Sequence, residues 1–378
     1  MSILDRYMLR LFMKIFVICG LSLFGLYIVI DMVSNLDDLI EQGNQNGSLF
    51  EVLCQYYGAR AFSFFDTTSA LISVLAAIFA VTWVRKHNEL TAIQAAGIPT
   101  ARIVMPIIAA SLCIALLAAA SRETLLPKFK DEILRSAQNW DGLAKQSVRA
   151  RFDHKHDVLI GGRWALTGNR EIIQPTFHLH KPLGAFQRII EAHRARYIDA
   201  QSDRPSGYLL EDVIKPKDLS DMPSAVINGR TVVYSPADTT WLDSDQCFVS
   251  SNLEFSQLLA ENSDTSYTSS RDLMRNLRND SLDYGAGVKV TIHGRLVQPL
   301  LDISLILLVV PVVLSKKLQG LFLPATLCLV FTLGFFLLVL TARAMGANSY
   351  MLSPALAAWL PLFLFGPIAY ISSSSLWR

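Results

Sequence analysis

Six stretches of this chain stay apolar for about as long as a bilayer core is thick. A hydrocarbon layer of about 30 Å is crossed by roughly 20 helical residues rising 1.5 Å each. Approximately Ile15 to Val33, Thr67 to Val84, Ile103 to Ser121, Leu296 to Ser315, Leu318 to Ala342 and Tyr350 to Ile371 reach that length. The second, third, fifth and sixth contain no Asp, Glu, Lys or Arg. The first is too long for the core of a signal peptide, and Ser34-Asn35-Leu36-Asp37-Asp38 stands where a small-residue cleavage site would belong, so a retained helix is expected. Ahead of it, Leu4, Tyr7, Met8 and Leu11 recur at helical spacing opposite Asp5, Arg6, Arg10 and Lys14, which predicts an approach helix in the headgroup layer.

Between the third and fourth stretches the period changes. From Arg122 to about Gln146, Leu125, Phe129, Ile133 and Leu134 stand among charged neighbours and predict a helix continuing past the span. After Arg151 come short runs: Val158 to Ile160, Thr176 to His180, Tyr208 to Ile214, Val226 to Tyr234 and Thr240 to Leu242. The turn signals Gly161-Gly162, Lys181-Pro182-Leu183-Gly184, Arg204-Pro205-Ser206-Gly207 and Ser235-Pro236 separate them, a pattern that predicts an antiparallel sandwich or roll. A helix over Arg271 to Asn279 is expected before the chain returns to the membrane through Val288 to Ile292. An apolar groove for a lipid and a rigid docking platform fit this pattern equally.

Charge sharpens the division. Of the 66 Asp, Glu, Lys and Arg, 46 fall between Arg122 and Arg295, less than half of the 378 residues. The whole chain is 52% apolar and 17% charged, against roughly 25% charged in soluble globular proteins. The expected class is therefore an α-helical membrane protein of six transmembrane helices with an inserted all-β domain, and a purely soluble enzyme is excluded. The expected boundaries are 1–121 for the first membrane half, 122–292 for the inserted domain and 293–378 for the second half. One set of helix ends carries Arg6, Arg10, Lys14, Arg85, Lys86, Arg102, Lys316, Lys317 and Arg378, and the opposite short loops carry Arg60 and Arg343. This bias places both termini in the cytoplasm, with the acidic loop from Asn35 to Tyr56 and the inserted domain on the other side. A net charge of +2 speaks against an extended nucleic-acid footprint. Cys247 is the one cysteine of the polar middle, so no disulfide can form within it.

Candidate chemistry is sparse. The chain has no G-x-x-x-x-G-K-[ST], G-x-S-x-G, H-E-x-x-H or C-x-x-C, so it carries no P-loop, and energy must come from elsewhere. No cofactor or metal is expected. His154 with His156, and His178 with His180, have the two-residue spacing that puts side chains on one strand face, yet Phe177 and Leu179 make the second pair the polar side of an alternating strand. Asp66 and Asp302 lie near or within spans, where a proton relay could use them, but interfacial carboxylates, or ion-pair partners for Arg60 and Arg295, are the favoured reading.

The segment Arg85 to Pro99 reads as a short helix of about eight residues within 88–97. Asn88 stands at the N-cap, Glu89 at the positive end of the dipole, Gly97 at the C-terminal turn, and Pro99 blocks continuation. Leu90 and Ile93, three apart among alanines, make a compact knob suited to a partner's groove. A loop helix that only packs on the membrane surface has the same pattern.

The stretch Glu89-Leu90-Thr91-Ala92-Ile93-Gln94-Ala95-Ala96-Gly97 resembles the coupling-helix signature of the LptF/LptG lipopolysaccharide export permeases. Ile3-Leu4-Asp5-Arg6-Tyr7, the H-x-R-x-x-x-P-L pattern of His293, Arg295, Pro299 and Leu300, and Pro354, Ala357, Ala358, Trp359 and Pro361 agree with it, as do Glu123 and Pro127. The resemblance implies an inner-membrane permease half that pairs with a second LptF/LptG-type half and with an LptB-type cytoplasmic ATPase dimer. It further implies a periplasmic β-jellyroll that hands lipopolysaccharide to LptC-like and LptA-like proteins. Glu89 would meet a basic residue of the ATPase, with Leu90 and Ile93 giving apolar contact. His293, Arg295, Pro299 and Trp359 are motif positions without an assigned role. A membrane-anchored scaffold, and a lipid-modifying enzyme using Asp66, Asp302 or His293, are the competing classes.

Overall fold

A computed structural model describes residues 2–45, 48–134, 145–179, 186, 188–201, 204–217, 219–227, 229–259, 264–278, 285–315, 322–348 and 352–374. In chain order the elements begin with α1 (Ile3–Ser34), α2 (Leu36–Gln45), α3 (Leu49–Lys86), α4 (Glu89–Ala95), α5 (Thr100–Thr124) and α6 (Lys130–Leu134). Among the described residues nine strands follow: β1 (Gln146–Ser147), β2 (Arg151–Asp153), β3 (Val158–Leu166), β4 (Glu171–Leu179), β5 (Ile189–Ile198), β6 (Gly207–Lys215), β7 (Ala225–Ile227), β8 (Arg230–Tyr234) and β9 (Cys247–Ser250). Then come α7 (Phe255–Leu258), α8 (Asp264–Tyr267), α9 (Ser270–Asn276), α10 (Gly285–Leu314), α11 (Phe322–Ala347) and α12 (Pro354–Ser374). The chain forms two compact units, one of Met1–Ile133, Tyr267–Leu273 and Tyr284–Arg378, the other of Leu134–Ser266 and Met274–Asp283.

In the first unit, six helices among the described residues are long and apolar enough to cross a membrane: α1, α3, α5, α10, α11 from Thr326, and α12. Their shared core includes Met8 and Phe12 of α1, Val81 and Val84 of α3, Ile103 and Ile107 of α5, Leu305 and Val309 of α10, and Phe335 of α11. Lipid tails are as apolar as leucine, so helices in a bilayer gain little from burial as such and associate through close packing of small residues. The seam between α11 and α12 is built this way: a Cβ at Gly346 would collide with the Ala357 Cβ. The outward side chains Val17, Leu21, Val29 and Ile30 of α1 and Leu329, Leu333 and Leu340 of α11 are exposed, as suits helices whose solvent is lipid.

The acidic segment from Asn35 to Tyr56, expected as a loop, is instead helical over 36–45 and from Leu49 onward. It forms α2 and the first turns of α3, which starts well before Thr67. Leu39, Val52 and Tyr56 are buried, the Tyr57 hydroxyl donates to Asp31 Oδ2 at 3.0 Å, and a Cβ at Gly43 would stand only 3.0 Å from Leu49 Cα. The absence of a side chain at Gly43 thus permits a tight approach of the two helices. Past the third span, α5 stops at Thr124 and α6 resumes at Lys130, while residues 135–144 of the expected helix lie outside the described residues.

The second unit holds an antiparallel sheet ordered β1-β3-β4-β5-β6-β9-β8-β7, with β2 also on β3. Gly161-Gly162, read as a turn, runs through the middle of β3, where it pairs with Pro175 and Thr176 of β4. A Cβ at Gly162 would collide with Ile172, so this glycine marks crowding inside a strand. The run Val226 to Tyr234 divides into the β7–β8 hairpin, with Gly229 at φ +76°. Thr240 to Leu242 is a turn, and Trp241 packs its ring edge-on to Phe248 at 5.4 Å. The Lys181–Gly184 turn, His180 and Asn279 lie outside the described residues. All four residues of β9 are buried, and burial pushes the Cys247 thiol up to about 12, leaving it to pack as a small hydrophobe.

Candidate functional site

The hairpin between α3 and α5 is set by three residues with special backbone chemistry. Asn88 adopts the left-handed conformation at φ +56°, which Asn tolerates better than most residues. Its carbonyl accepts from Ala92 N at 3.1 Å, so it starts α4 through its backbone and not through its side chain. At the other end, Gly97 N donates to Gln94 O at 3.0 Å and Ile98 N to Ile93 O at 3.3 Å, with Gly97 at φ +77°. This is a Schellman closure, which requires a positive φ that glycine adopts without strain. Pro99 then opens α5 from the N-cap position.

Leu90 does not project as a knob. It is 8% exposed and belongs to the bundle core, and Ile93 is half-buried against the same core. Together they root α4 in its own chain. The outward surface is built of small residues: Asn88, Thr91, Ala92, Ala95, Ala96 and Gly97 are exposed, flanked by Trp83, Lys86 and His87. Glu89 is half-buried, and its Oε2 accepts from the Tyr7 hydroxyl at 2.8 Å. Arg85 Nη1 donates to Val313 O at 2.9 Å, tying the hairpin to the end of α10.

A second constellation lies within the same bundle, in the parts of α3, α5, α10 and α11 remote along each helix from α4. Arg122 grips both Asp66 oxygens, with Nε at 2.9 and 3.1 Å and Nη2 2.8 Å from Oδ1. Gln298 Nε2 donates to Asp302 Oδ1 at 2.8 Å while its Oε1 accepts from Arg343 Nη2 at 2.6 Å, so one amide bridges a cation and a carboxylate. Gly294 stands beside the Arg343 guanidinium, where a Cβ would be 3.4 Å away. Arg295 donates to Thr268 O at 2.7 Å and to Ser270 Oγ at 3.3 Å, and lies 3.6 Å from Glu123, which accepts from Ser270 N and Oγ at 2.8 and 2.6 Å. The expected pairings of Asp66 and Asp302 with Arg60 and Arg295 are thus replaced: Arg60 lies 3.5 Å over the Tyr56 ring. A cavity of about 30 Å³ opens among Asp66, Arg122, Gln298, Pro299 and Asp302, room for about one water. Carboxylates satisfied by guanidinium and amide donors in a bilayer-spanning bundle fix the mutual register of four helices.

The chain matches the family model of the lipopolysaccharide export system permease LptF/LptG over residues 6–375. It belongs to the LptF/LptG family. Membership gives the chain a permease role in lipopolysaccharide export, and its six long apolar helices are those of a multi-pass membrane permease. No curated protein matches it.

Of the motif positions of this permease, Arg295 anchors α10 to the segment at Thr268–Ser270 and Pro299 lines the cavity. His293 is half-buried and is not among the cavity-lining residues. Trp359 is half-buried against the bundle core, its ring 6.2 Å from Phe363. The first histidine pair does not lie on a strand, and His180 of the second pair lies outside the described residues. His154 and His156 occupy the β2–β3 turn, His154 exposed and His156 buried with Nδ1 2.9 Å from Asp153 Oδ2. His178 is exposed on β4. Asp153, fully buried, also accepts from Lys155 N at 3.0 Å, Ser251 Oγ at 2.8 Å and Asn252 N at 2.7 Å. Sequence reading missed the parts played by Tyr7, Arg122, Gln298 and Arg343. For Arg122 and Arg343 the available signal was an ionisable group at the margin of an apolar run, which calls for a partner.

Proposed function

We propose that this chain is one half of an ABC-transporter permease that extracts lipopolysaccharide from the outer leaflet of the inner membrane. An LptB-type ATPase dimer docks on α4 from the cytoplasm, and a second LptF/LptG-type half completes the membrane unit. Both termini are cytoplasmic. The division is that expected from the sequence: membrane halves over 1–121 and 293–378, with 122–292 forming a periplasmic, jellyroll-like receiver that passes the lipid to LptC-type and LptA-type bridge proteins.

The observation that carries this reading is the construction of the hairpin. Leu90 and Ile93 root α4 in the bundle, Arg85 joins it to α10, and Glu89 stands at the helix start with a small-residue surface behind it. Such an element suits the transmission of displacement, and the sequence holds no G-x-x-x-x-G-K-[ST] motif. The work required is large, because each methylene withdrawn from an apolar environment costs about 0.8 kcal/mol and a lipid with several acyl chains has dozens. ATP hydrolysis in a partner is an adequate source, and an antiparallel sheet with a buried apolar face is an adequate receiver. Glu89→Arg, made in the full complex, is expected to abolish ATPase co-purification and lipid transfer to the bridge proteins. Intact assembly and export in that variant would overturn the assignment of α4.

A further inference from the structure

We propose that Tyr7 is a positioning residue for the coupling helix, its hydroxyl holding the Glu89 carboxylate in the orientation that a cation of the ATPase partner meets. The inference rests on the reading of α4 as the docking element. The hydroxyl donates to Glu89 Oε2 at 2.8 Å across 82 residues of sequence. Each of the two groups is adjacent in sequence to an anchor: Met8, fully buried, follows Tyr7, and Leu90 follows Glu89, both in the same core cluster. With the two backbones fixed, the freedom left at Glu89 is rotation of its side chain. The start of α1 is also held, since Asp5 N donates to Ser2 Oγ at 3.2 Å and Ser2 N to Asp5 Oδ2 at 2.7 Å, a reciprocal cap that suppresses fraying of the turn bearing Tyr7.

A glutamate frozen before docking spares the complex part of the side-chain entropy lost on association. Tyr7 engages one carboxylate oxygen and leaves Oε1 for the incoming cation, so the hydrogen bond orients the acceptor without consuming it. At 39% exposure the Tyr7 side chain is not a core filler, so its hydroxyl is dispensable for packing.

A double-mutant cycle in the full complex tests this. Tyr7→Phe, Glu89→Ala and the double variant are titrated with the purified ATPase subunit, reading the concentration that gives half-maximal chain-dependent ATP hydrolysis. Tyr7→Phe is expected to raise that concentration about threefold to tenfold, and to add nothing once Glu89 is Ala, as for residues acting through one interaction. An unchanged value for Tyr7→Phe beside a raised one for Glu89→Ala refutes the positioning role and leaves the docking site standing. Equal effects of Tyr7→Phe with and without Glu89 would mean that the hydroxyl acts through the packing of α1, which also refutes it. An unchanged value for Glu89→Ala removes the docking reading itself.

Discussion

Replacing Asp66 with Ala strands the Arg122 guanidinium inside the helix bundle. In the native chain both carboxylate oxygens accept from Arg122, with the two side chains 15% and 14% exposed. Breaking a buried pair from one side costs about 3–5 kcal/mol, because the remaining charge keeps its desolvation penalty and loses its compensation. The adjoining cavity of about 30 Å³ admits a water beside the orphaned group, which places the loss near the lower end, about 3 kcal/mol. Removing both partners deletes the charge as well as the bond, so Asp66→Ala/Arg122→Ala should recover at least half of that loss. The assay is thermal unfolding of the purified permease in one detergent, comparing both single variants and the double. Asp66→Ala should lower the midpoint by roughly 5 °C or more, and the double variant should lie closer to the native midpoint than Asp66→Ala does. A double variant as unstable as the sum of the two singles would mean that the pair is not coupled, and the view of this cluster as a register lock would fail.

Two further outcomes follow from the packing and the titration of the chain. Gly346→Ala should force α11 and α12 apart at Ala357 and lower stability by about 1–3 kcal/mol, with partial rescue by Ala357→Gly; thermal midpoints read both, and no rescue would mean that the clash is relieved elsewhere. In the β unit, the Ser224 hydroxyl and backbone N–H hold the Asp238 carboxyl below its ordinary range. A carboxyl depressed in the folded state stabilises above its unfolded pKa and loses that contribution as pH falls through the folded value. Asp238→Asn should therefore be less stable than the native chain at pH 7, with the difference narrowing as the pH is lowered below the ordinary carboxylate range, checked by unfolding across that range; a constant difference would contradict the assignment.

The elements that sequence alone revealed are those whose cause is local. Six spans follow from apolar length, and α4 follows from Asn88, Gly97 and Pro99, each of which acts on its own backbone. Partnerships follow from three-dimensional proximity, and there the sequence was silent. Asp66 and Arg122 are 56 residues apart, and nothing in either neighbourhood points to the other in preference to the nearer Arg60. Leu90 was legible as apolar, but whether a helix of seven residues turns its apolar side toward its own bundle or toward a partner depends on the angle at which the hairpin leaves α3. The Gly161-Gly162 pair has the composition of a turn, and only its pairing with Thr176 and Pro175 on the neighbouring strand identifies it as strand. Asn35 to Tyr56 looked like a loop because its acidic residues masked Leu39, Val52 and Tyr56, whose burial makes it helical.

The hub at Asp153 has a consequence for how the β unit is maintained. A single sequestered carboxylate gathers donors from the turn after β2 and from the segment after β9, 98 residues away at Ser251. Such a clasp joins these distant segments in the folded state without a covalent cross-link, and Cys247 is the sole cysteine of the unit, so no electron transfer is needed to close it. Assembly of the β unit is therefore indifferent to the oxidising power of its compartment, and reductants that unravel cystine-stapled envelope proteins should leave this one folded.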